Sequence, residues 1–146
     1  MVFTKSFGYA LRGILYVAVA GNGKGRIQLD EISEVLALPR FFLGKIMRKL
    51  AKEGVLDSDK GHKGGFSINE KTLSTTLSEL VEMTGNTESM DVCALRLKKC
   101  NAKNPCPVHY EIKFMREQWN ELLAAKTVGD LLKKGGQDFI QSIAAY

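Results

Sequence analysis

The segment from residue 38 to residue 56 reads LPRFFLGKIMRKLAKEGVL, and it decides the predicted fold. Pro39 suits the first position of a helix, where its missing N–H has no partner to lose. Gly54 suits the residue that follows a helix, where a left-handed backbone is common. Between them, apolar side chains recur at helical spacing, at Leu43, Ile46, Met47 and Leu50. The segment therefore predicts a helix from Pro39 to about Glu53 with one apolar and one basic face.

A shorter helix is predicted immediately before this one, over residues 29 to 36. Ile32, Val35 and Leu36 share one face, and the carboxylates Asp30 and Glu31 stand in the first turn, where the helix dipole favours them. Two short helices joined by a tight turn, the second rich in exposed basic groups, are typical of a helix-turn-helix. A preceding helix from Ser6 to Ala20 is expected to complete the core.

A glycine-rich turn with cations follows, Lys60-Gly61-His62-Lys63-Gly64-Gly65. Apolar and polar residues alternate on both sides of it, over residues 55–59 and 66–69, which predicts two short strands. This arrangement predicts a two-stranded wing beside the helix-turn-helix. The capping box Thr76-Leu77-Ser78-Glu79 then predicts a fourth helix that ends at Gly85.

Helical periodicity returns only near Pro107. A long helix is predicted from there to about Ala125, with a single apolar stripe that can pack on its own domain or on a second copy: Val108, Ile112, Met115, Trp119, Leu122 and Leu123. A short helix from Val128 to Lys134 follows, capped by Thr127 and Asp130. The tail from residue 135 to residue 146 is expected to be partly ordered.

Composition narrows the class of protein. The chain has 146 residues, of which 45% are hydrophobic, so it suits one compact core and excludes a large multidomain enzyme. The net charge of +5 and the pI of about 9.1 favour a polyanion partner. The most apolar stretch, residues 10–20, is interrupted by Arg12, which argues against a membrane span and a signal peptide. We therefore expect a cytoplasmic protein with no membrane partner.

The basic residues of the third helix and the wing are the candidate DNA contacts. Arg40 is the candidate base reader, because a guanidinium can donate two hydrogen bonds at once, to the O6 and N7 atoms of guanine. Lys45 and Lys49 are expected to bind phosphates, and Gly44 is expected to leave room for the duplex. The alternative is a solvated basic helix face, but the ordered combination with a wing favours DNA. The predicted set is Pro39, Arg40, Phe41, Gly44, Lys45, Arg48, Lys49, Lys60, His62 and Lys63.

The three cysteines follow the pattern Cys93-x6-Cys100-x5-Cys106, and His109 lies three residues further on. An odd number so close together argues against a secreted disulfide framework. The spacing lacks the short pairs of a zinc ribbon, whereas three thiolates with a weaker fourth ligand suit an iron–sulfur cluster. His109 is the candidate fourth ligand, with an ordinary histidine at a helix N-terminus as the alternative. Zinc binding and a thiol–disulfide sensor stay open as other uses of the cysteines.

An enzyme is the rival class of function. The chain has two histidines, His62 and His109, and neither lies near a nucleophile motif. The sequence also lacks a glycine-rich phosphate loop and a paired-carboxylate pattern. We therefore expect no enzymatic activity. A purely structural interaction module is a third class, which would bind duplex DNA no better than its charge predicts.

Nearly the whole chain resembles the Rrf2 family of winged-helix bacterial transcription regulators. The residues that carry the resemblance are Tyr9-Ala10-Leu11-Arg12, Ile32, Leu38-Pro39-Arg40-Phe41-Phe42-Leu43, Leu50-Ala51-Lys52-Glu53-Gly54-Val55-Leu56, the wing residues Gly61, Gly64, Gly65 and Phe66, the three cysteines, and Thr127-Val128-Gly129-Asp130-Leu131. The resemblance implies a homodimer in which the long C-terminal helices of the two copies cross each other. It also implies that this dimer binds a palindromic operator. It also implies an affinity or preference that changes when an iron–sulfur cluster is lost or altered.

The chain departs from the family pattern at several positions. Lys60 stands where the wing of the family usually has arginine, and His62-Lys63 replace a tip that contains proline. The first cysteine gap is six residues where five is usual. Gly8 stands where some members have a carboxylate ligand. The resemblance therefore favours the histidine-ligated 2Fe-2S mode, with Cys93, Cys100, Cys106 and His109 as ligands.

Together these patterns predict a mainly α chain with a small two-stranded β wing. Residues 1–85 are expected to form a winged helix-turn-helix DNA-binding domain, residues 86–107 a cysteine-containing sensor loop, and residues 108–146 a dimerisation helix with a C-terminal helix and tail. The expected function is a dimeric transcription regulator of double-stranded DNA that senses redox, iron–sulfur status or nitric oxide. The alternative is a cluster-free regulator of the same family, controlled by thiol oxidation, a small molecule or a protein partner.

Overall fold

The structure is a computed structural model that describes residues 3–85, 93, 95, 97, 100–135 and 139–144. In chain order, its elements are α1 (Lys5–Ala20), α2 (Leu29–Val35), α3 (Arg40–Lys52), β1 (Asp57–Asp59), β2 (Gly65–Ser67), α4 (Glu70–Ser74), α5 (Leu77–Met83), α6 (His109–Ala125), α7 (Val128–Gly135) and α8 (Phe139–Ala144). Mostly helical with one small antiparallel sheet, this architecture confirms the predicted fold class. No helix in the described ranges is long and apolar enough to cross a membrane.

Helix α1 lies at the centre of the core. Its side chains Ile14 and Val17 are buried, and it contacts α2, α3, α5, α7, α8 and β2. Thr4 caps its N-terminus, because the Thr4 hydroxyl accepts a hydrogen bond from the Phe7 N–H. At Gly13, a Cβ atom would lie 2.8 Å from the Sδ atom of Met47. Glycine at this position therefore lets α1 and α3 approach closely.

Helices α2 and α3 form the predicted helix-turn-helix. The Leu38 N–H donates to the Ser33 carbonyl, the Ser33 hydroxyl donates back to the Leu38 carbonyl at 2.7 Å, and Ala37 adopts a φ of 50° in the turn. Pro39 lies one position before the predicted place. With a ψ of 114°, Pro39 is extended and forms the N-cap, so α3 begins at Arg40.

Side chains from α1 hold α2 in place. The Tyr16 hydroxyl donates to Glu31 at 2.8 Å, and burial followed by this hydrogen bond raises the pKa of Tyr16 to about 12. The Arg12 guanidinium donates from Nη2 to the Leu36 carbonyl at 2.9 Å and from Nε to the Ile143 carbonyl at 2.7 Å. Arg12 thus ties the end of α2 to α8 at the other end of the chain.

The wing is fixed to the segment before α2. Strands β1 and β2 pair with Ser58 opposite Phe66, and the Ile27 N–H donates to the Phe66 carbonyl at 2.8 Å. The Gln28 side chain donates to the His62 carbonyl at 2.7 Å. Both strands are shorter than predicted. Strand β1 begins only at Asp57, because the buried residues Val55 and Leu56 belong to the core before it.

Sequence periodicity does not predict the short helices α4 and α8. Helix α4 begins with a capping box in which Asn69 and Thr72 exchange hydrogen bonds. Helix α8 packs on α1 within the tail that was expected to be partly ordered, and Ile143 is buried there. A helix of five or six residues is too short to show a repeated apolar stripe.

The start of α7 is joined to the start of α5. The Leu77 N–H donates to the Lys126 carbonyl, and the Val128 N–H donates to the Thr75 carbonyl, both at 2.9 Å. The predicted cap of α7 is present: the Asp130 carboxylate accepts from the Thr127 N–H, and the Thr127 hydroxyl accepts from the Asp130 N–H. The Thr127 backbone bond, followed by its hydroxyl, lowers the pKa of Asp130.

We expect Thr72→Val to lower the free energy of unfolding by about 1–3 kcal/mol. Thr72 is fully buried; its hydroxyl donates to the Val55 carbonyl and accepts from the Asn69 N–H. Valine keeps the shape of the side chain and leaves both backbone groups without this partner. Urea unfolding measures the loss. The control is Ser74→Ala at an exposed hydroxyl, expected within about 0.5 kcal/mol of wild type, and equal losses in the two variants would contradict this account.

Candidate nucleic-acid interface and cysteine site

The exposed face of α3 is basic. Leu43, Met47 and Leu50 are buried on the opposite face. With 3.6 residues per turn, the remaining positions project to one side of the helix. The exposed residues there are Phe41, Phe42, Lys45, Arg48, Lys49 and Lys52. This face offers several cations to a polyanion, as predicted.

Two aromatic rings lie at the N-terminal end of this basic face. The side chains of Phe41 and Phe42 are 65% and 60% exposed, and their ring centroids lie 5.9 Å apart in an edge-to-face arrangement. The Lys45 ammonium lies 4.7 Å from the centroid of the Phe41 ring. Phe42 was not among the predicted contact residues. Its position outside the apolar stripe of the helix is the signal that marks it as exposed.

Arg40 begins α3 and forms an ion pair with Asp30 in the first turn of α2. The Arg40 Nε atom donates to Asp30 Oδ1, and both side chains are largely exposed. The pair therefore crosses the gap between the two helices of the helix-turn-helix on its solvent side. Arg40 is exposed as predicted, but its carboxylate partner was not foreseen.

The structure corrects the placement of Gly44. Gly44 is buried rather than open to solvent, and a Cβ atom there would lie 3.0 Å from Leu29 Cδ2 and 3.1 Å from an Arg48 guanidinium nitrogen. Gly44 thus lies between Leu29 of α2 and the Arg48 side chain. Its lack of a side chain lets α2 pack closely on α3.

The wing tip carries the three predicted polar contact residues, Lys60, His62 and Lys63, and all are exposed. Gly61 adopts a φ of 101°, a conformation that side chains disfavour, so glycine is needed for this turn. Arg26 forms an ion pair with Asp59 at the end of β1. The wing tip is therefore a short turn, and the strands below it are fixed to the segment before α2.

The cysteine segment places one thiol against the candidate histidine. The Cys100 Sγ atom lies 3.3 Å from the Nδ1 atom of His109. His109 is the first residue of α6 and is only 6% exposed, and its backbone N–H donates to the Cys106 carbonyl at 3.0 Å. Cys93 is buried, Cys106 is half-buried and Cys100 is exposed. The structure thus brings Cys100 and His109 together, with Cys106 beside the start of the same helix.

The donor types suit an iron–sulfur cluster, which proteins hold with cysteine thiolates and, in some centres, histidine. The contact between Cys100 and His109 fits such a site, because a buried imidazole faces a thiol through a ring nitrogen. In the part of the chain that the structure describes, no group of three or more His, Cys, Asp or Glu side chains is assembled closely enough for a metal ion. Residues 86–92, 94, 96, 98 and 99 of the predicted sensor loop lie outside the described residues.

Helix α6 has two apolar faces where the sequence predicted one stripe. Leu123 is buried against the rest of the chain, with Ile112 and Trp119 half-buried on the same side. The exposed side of the helix also carries large apolar residues, Tyr110, Phe114, Met115 and Leu122. Met115 and Leu122 therefore do not belong to the inward stripe, and Val108 before the helix is exposed as well. Helix α6 contacts α5, and the residues on its other side are left exposed.

Comparisons with known proteins agree with this fold. The family profile named Rrf2 and described as "Iron-dependent Transcriptional regulator" matches residues 3–134. A putative HTH-type transcriptional regulator of Aquifex aeolicus is 34% identical over 134 residues, covering 90% of this chain and 92% of that protein. The HTH-type transcriptional repressor NsrR of Streptomyces coelicolor is 27% identical over 139 residues, covering 90% and 88%.

The fold is also found among solved structures. The structure of CymR, described as the global cysteine regulator of B. subtilis, superposes with a TM-score of 0.71. The match covers 91% of this chain and 97% of that chain at 18% sequence identity. The winged-helix architecture is thus shared along almost the full length of both chains.

Proposed function

Since this chain belongs to the Rrf2 family of DNA-binding transcriptional regulators, which are not enzymes, we propose that it is a homodimer that binds a palindromic operator through α3 and the wing. The observation that carries this proposal is the exposed basic face of α3 beside a short cationic wing tip. A recognition helix of this kind enters the major groove of B-DNA, and the wing reaches the neighbouring minor groove.

The proposed contacts divide into base readers and phosphate contacts. Arg40 reads a guanine from the N-terminal turn of α3, and Phe41 contacts the base edges beside it. Lys45 and Lys49 neutralise phosphates, which supplies affinity for any sequence. The full proposed set is Pro39, Arg40, Phe41, Lys45, Arg48 and Lys49 on the helix-turn-helix and Lys60, His62 and Lys63 on the wing. Gly44 is left out because it is buried against α2.

Selection from a library of randomised duplexes tests the DNA half of the proposal. The wild type is expected to enrich a palindromic sequence. Fluorescence anisotropy at about 150 mM salt should then give at least about a 10³-fold higher affinity for this duplex than for its shuffled version. Equal affinities for the two duplexes would contradict sequence-specific binding and leave only the attraction of a basic surface.

The exposed apolar face of α6 supports the proposed dimer. Tyr110, Phe114 and Met115 are between 63% and 66% exposed, and Leu122 on the same helix is 42% exposed. Several large apolar side chains exposed on one helix are typical of an interaction site. Two copies related by a two-fold axis can pack this face of α6 against the same face of the partner helix, which is an isologous contact.

We expect Phe114→Glu to convert the dimer to a monomer. The variant buries two carboxylates against apolar side chains at a symmetric contact, and such charges are costly without partners. Light scattering coupled to size exclusion measures the mass. Asn120→Glu is the matched control, since Asn120 is exposed on another side of the same helix. A wild-type monomer, or a Phe114→Glu variant that stays dimeric, would contradict the proposed interface.

The second part of the proposal assigns the cysteine segment to a 2Fe-2S cluster held by Cys93, Cys100, Cys106 and His109. Support comes from the Cys100–His109 contact and from relatives in the family that bind iron–sulfur clusters, although other members do not. When bound, the cluster supplies a redox-active centre that oxidants and nitric oxide can attack. His109 begins α6, whose outer face carries the proposed dimer contact. The ligand position and the dimer geometry are therefore set by one helix.

A cluster-free regulator controlled by thiol oxidation is the second candidate function. The exposed Cys100 thiol beside an imidazole supports it, because a thiol that oxidants reach must be accessible. Iron and sulfide content distinguishes this candidate from the cluster proposal.

A further inference from the structure

The ion pair between Asp30 and Arg40 places a carboxylate on a surface that the proposed function turns toward phosphates. The Asp30 side chain is 69% exposed and the Arg40 side chain 64%. An exposed pair of this kind contributes little to the stability of the fold. A carboxylate next to a polyanion also opposes binding through charge repulsion. The ion pair itself therefore explains neither a large gain in stability nor a gain in affinity for DNA.

The geometry of the pair leaves the reading end of Arg40 available. Asp30 Oδ1 accepts from Nε, which is the guanidinium nitrogen nearest the stem of the side chain. A guanidinium reads guanine best when two N–H groups point together at O6 and N7. A carboxylate that holds Nε reduces the number of side-chain orientations that Arg40 has to give up on binding.

The helix dipole favours an acid in the first turn of α2 but does not decide which way its side chain faces. Glu31 already supplies a carboxylate to the first turn of α2, and it is engaged there with the Tyr16 hydroxyl. Asp30 points instead across the gap to α3. The acid that faces the recognition helix is therefore separate from the acid that fixes α2 to the core.

We propose that Asp30 is a specificity-determining positioning residue, which holds the Arg40 guanidinium in the orientation that reads one base of the operator. This inference rests on the proposed DNA binding and adds a residue that does not itself touch the base. Asp30 raises discrimination between sequences while it lowers affinity for DNA in general.

The variant Asp30→Asn tests this role, because asparagine keeps the size of the side chain and removes the charge. The probes are the duplex that wild type enriches from the random library and its shuffled version. Affinity for the enriched duplex is expected to fall by about tenfold, within the range of a weakened arginine–guanine fork. Affinity for the shuffled duplex should stay equal or rise, since a repelling charge is gone. The ratio of the two affinities is the readout that a purely structural role would not move.

Glu34→Gln is the matched control. Glu34 is an exposed acid on the same helix, and the described part of the chain shows no ion pair for it. Its loss should change both affinities by the same factor, so that the ratio stays at the wild-type value. In an Arg40→Ala background, Asp30→Asn should cause no further loss of discrimination, because the group that it positions is absent.

A repeated library selection completes the test. The Asp30→Asn protein is expected to enrich the same palindrome with the guanine preference relaxed at one position in each half-site. An unchanged affinity ratio, an equal loss on both duplexes, or a full effect in the Arg40→Ala background would each overturn the role of Asp30 alone. A wild type that enriches no sequence would overturn the proposed function and this inference with it.

Discussion

Cys100→Ser is expected to lower the iron and labile sulfide of the anaerobically purified protein by at least about tenfold. Mutating a residue that only supports a metal ligand typically lowers metal affinity by about 10- to 100-fold, and removing a ligand itself should lower it more. Wild type should carry iron and sulfide in equal amounts and show thiolate-to-iron absorption bands. Cys100 is exposed, so serine is tolerated by the fold. The change therefore removes a donor without opening a cavity.

The two histidines of the chain provide matched variants for the same measurement. His109→Ala removes the imidazole that lies 3.3 Å from the Cys100 sulfur, and it should alter the bands or abolish them. His62→Ala removes the exposed histidine of the wing tip and should leave the cluster content unchanged. Circular dichroism checks that each variant is folded, which matters for the buried His109.

A folded, colourless wild type without iron would contradict the cluster proposal. The winged helix would be unaffected by that result, and the cysteines would then act as thiol switches or zinc ligands. Mass spectrometry after mild treatment with hydrogen peroxide would decide between them: oxygen added at Cys100 supports thiol oxidation, and bound zinc supports a structural metal site.

The double variant Lys45→Ala, Lys49→Ala is expected to lose about two units of the slope of log affinity against log salt per protomer, because each lysine releases about one counterion from DNA. The loss should be the same for the enriched and the shuffled duplex, since phosphates carry no sequence information. Both side chains are exposed on the basic face of α3. Fluorescence anisotropy across a range of salt concentrations measures the slope.

Arg40→Ala should behave in the opposite way. The variant is expected to lose about 1–3 kcal/mol of binding free energy on the enriched duplex, together with discrimination at one base pair. The slope of log affinity against log salt should change only slightly. The control Lys133→Ala, Lys134→Ala removes the same charge as the lysine pair from the end of α7, so it separates local contacts from net charge. A control that lowers the slope as much as the α3 variant would contradict the assigned interface.

The helix-turn-helix and the wing were predictable because their signals are local. Leu43, Met47 and Leu50 recur at helical spacing, and all three are buried in α3. Gly54 has a φ of 79°, as expected for a glycine that ends a helix. The glycine-rich turn between residues 59 and 65 likewise predicts a tight hairpin, and the structure pairs Asp59 with Gly65. In each case, the residue type and the required backbone geometry point to the same structure.

The parts that were missed depend on contacts between distant residues. Gly44 reads as an open position on a basic helix, but its environment is set by Leu29 of the preceding helix. The sequence of α6 does not show which of its apolar residues are buried, because burial there depends on the helices that pack against it. Helix α8 is stabilised through its packing on α1 and the bond from Arg12 to the Ile143 carbonyl, more than a hundred residues apart in sequence. Sequence spacing alone carries no information on such pairs.

The candidate site divides along the same line. Residue types and spacing identify Cys100, His109 and Arg40 as chemically suitable, and the structure adds which groups face each other. The contact of Cys100 with His109 and the pair of Asp30 with Arg40 both join separate segments. Asp30 gives no signal of its own in the sequence, because an acid in the first turn of a helix is already explained by the helix dipole.

The central claim is that the state of the cysteine site changes how the two recognition helices bind their operator. The most direct measurement is the affinity for the enriched duplex, by anaerobic fluorescence anisotropy, of cluster-containing wild type, of the same protein after removal of iron and sulfide, and of Cys100→Ser. We predict that the two wild-type states differ by at least about tenfold, within the usual range of allosteric coupling, and that Cys100→Ser matches the cluster-free state. Equal affinities for all three proteins would contradict the claim.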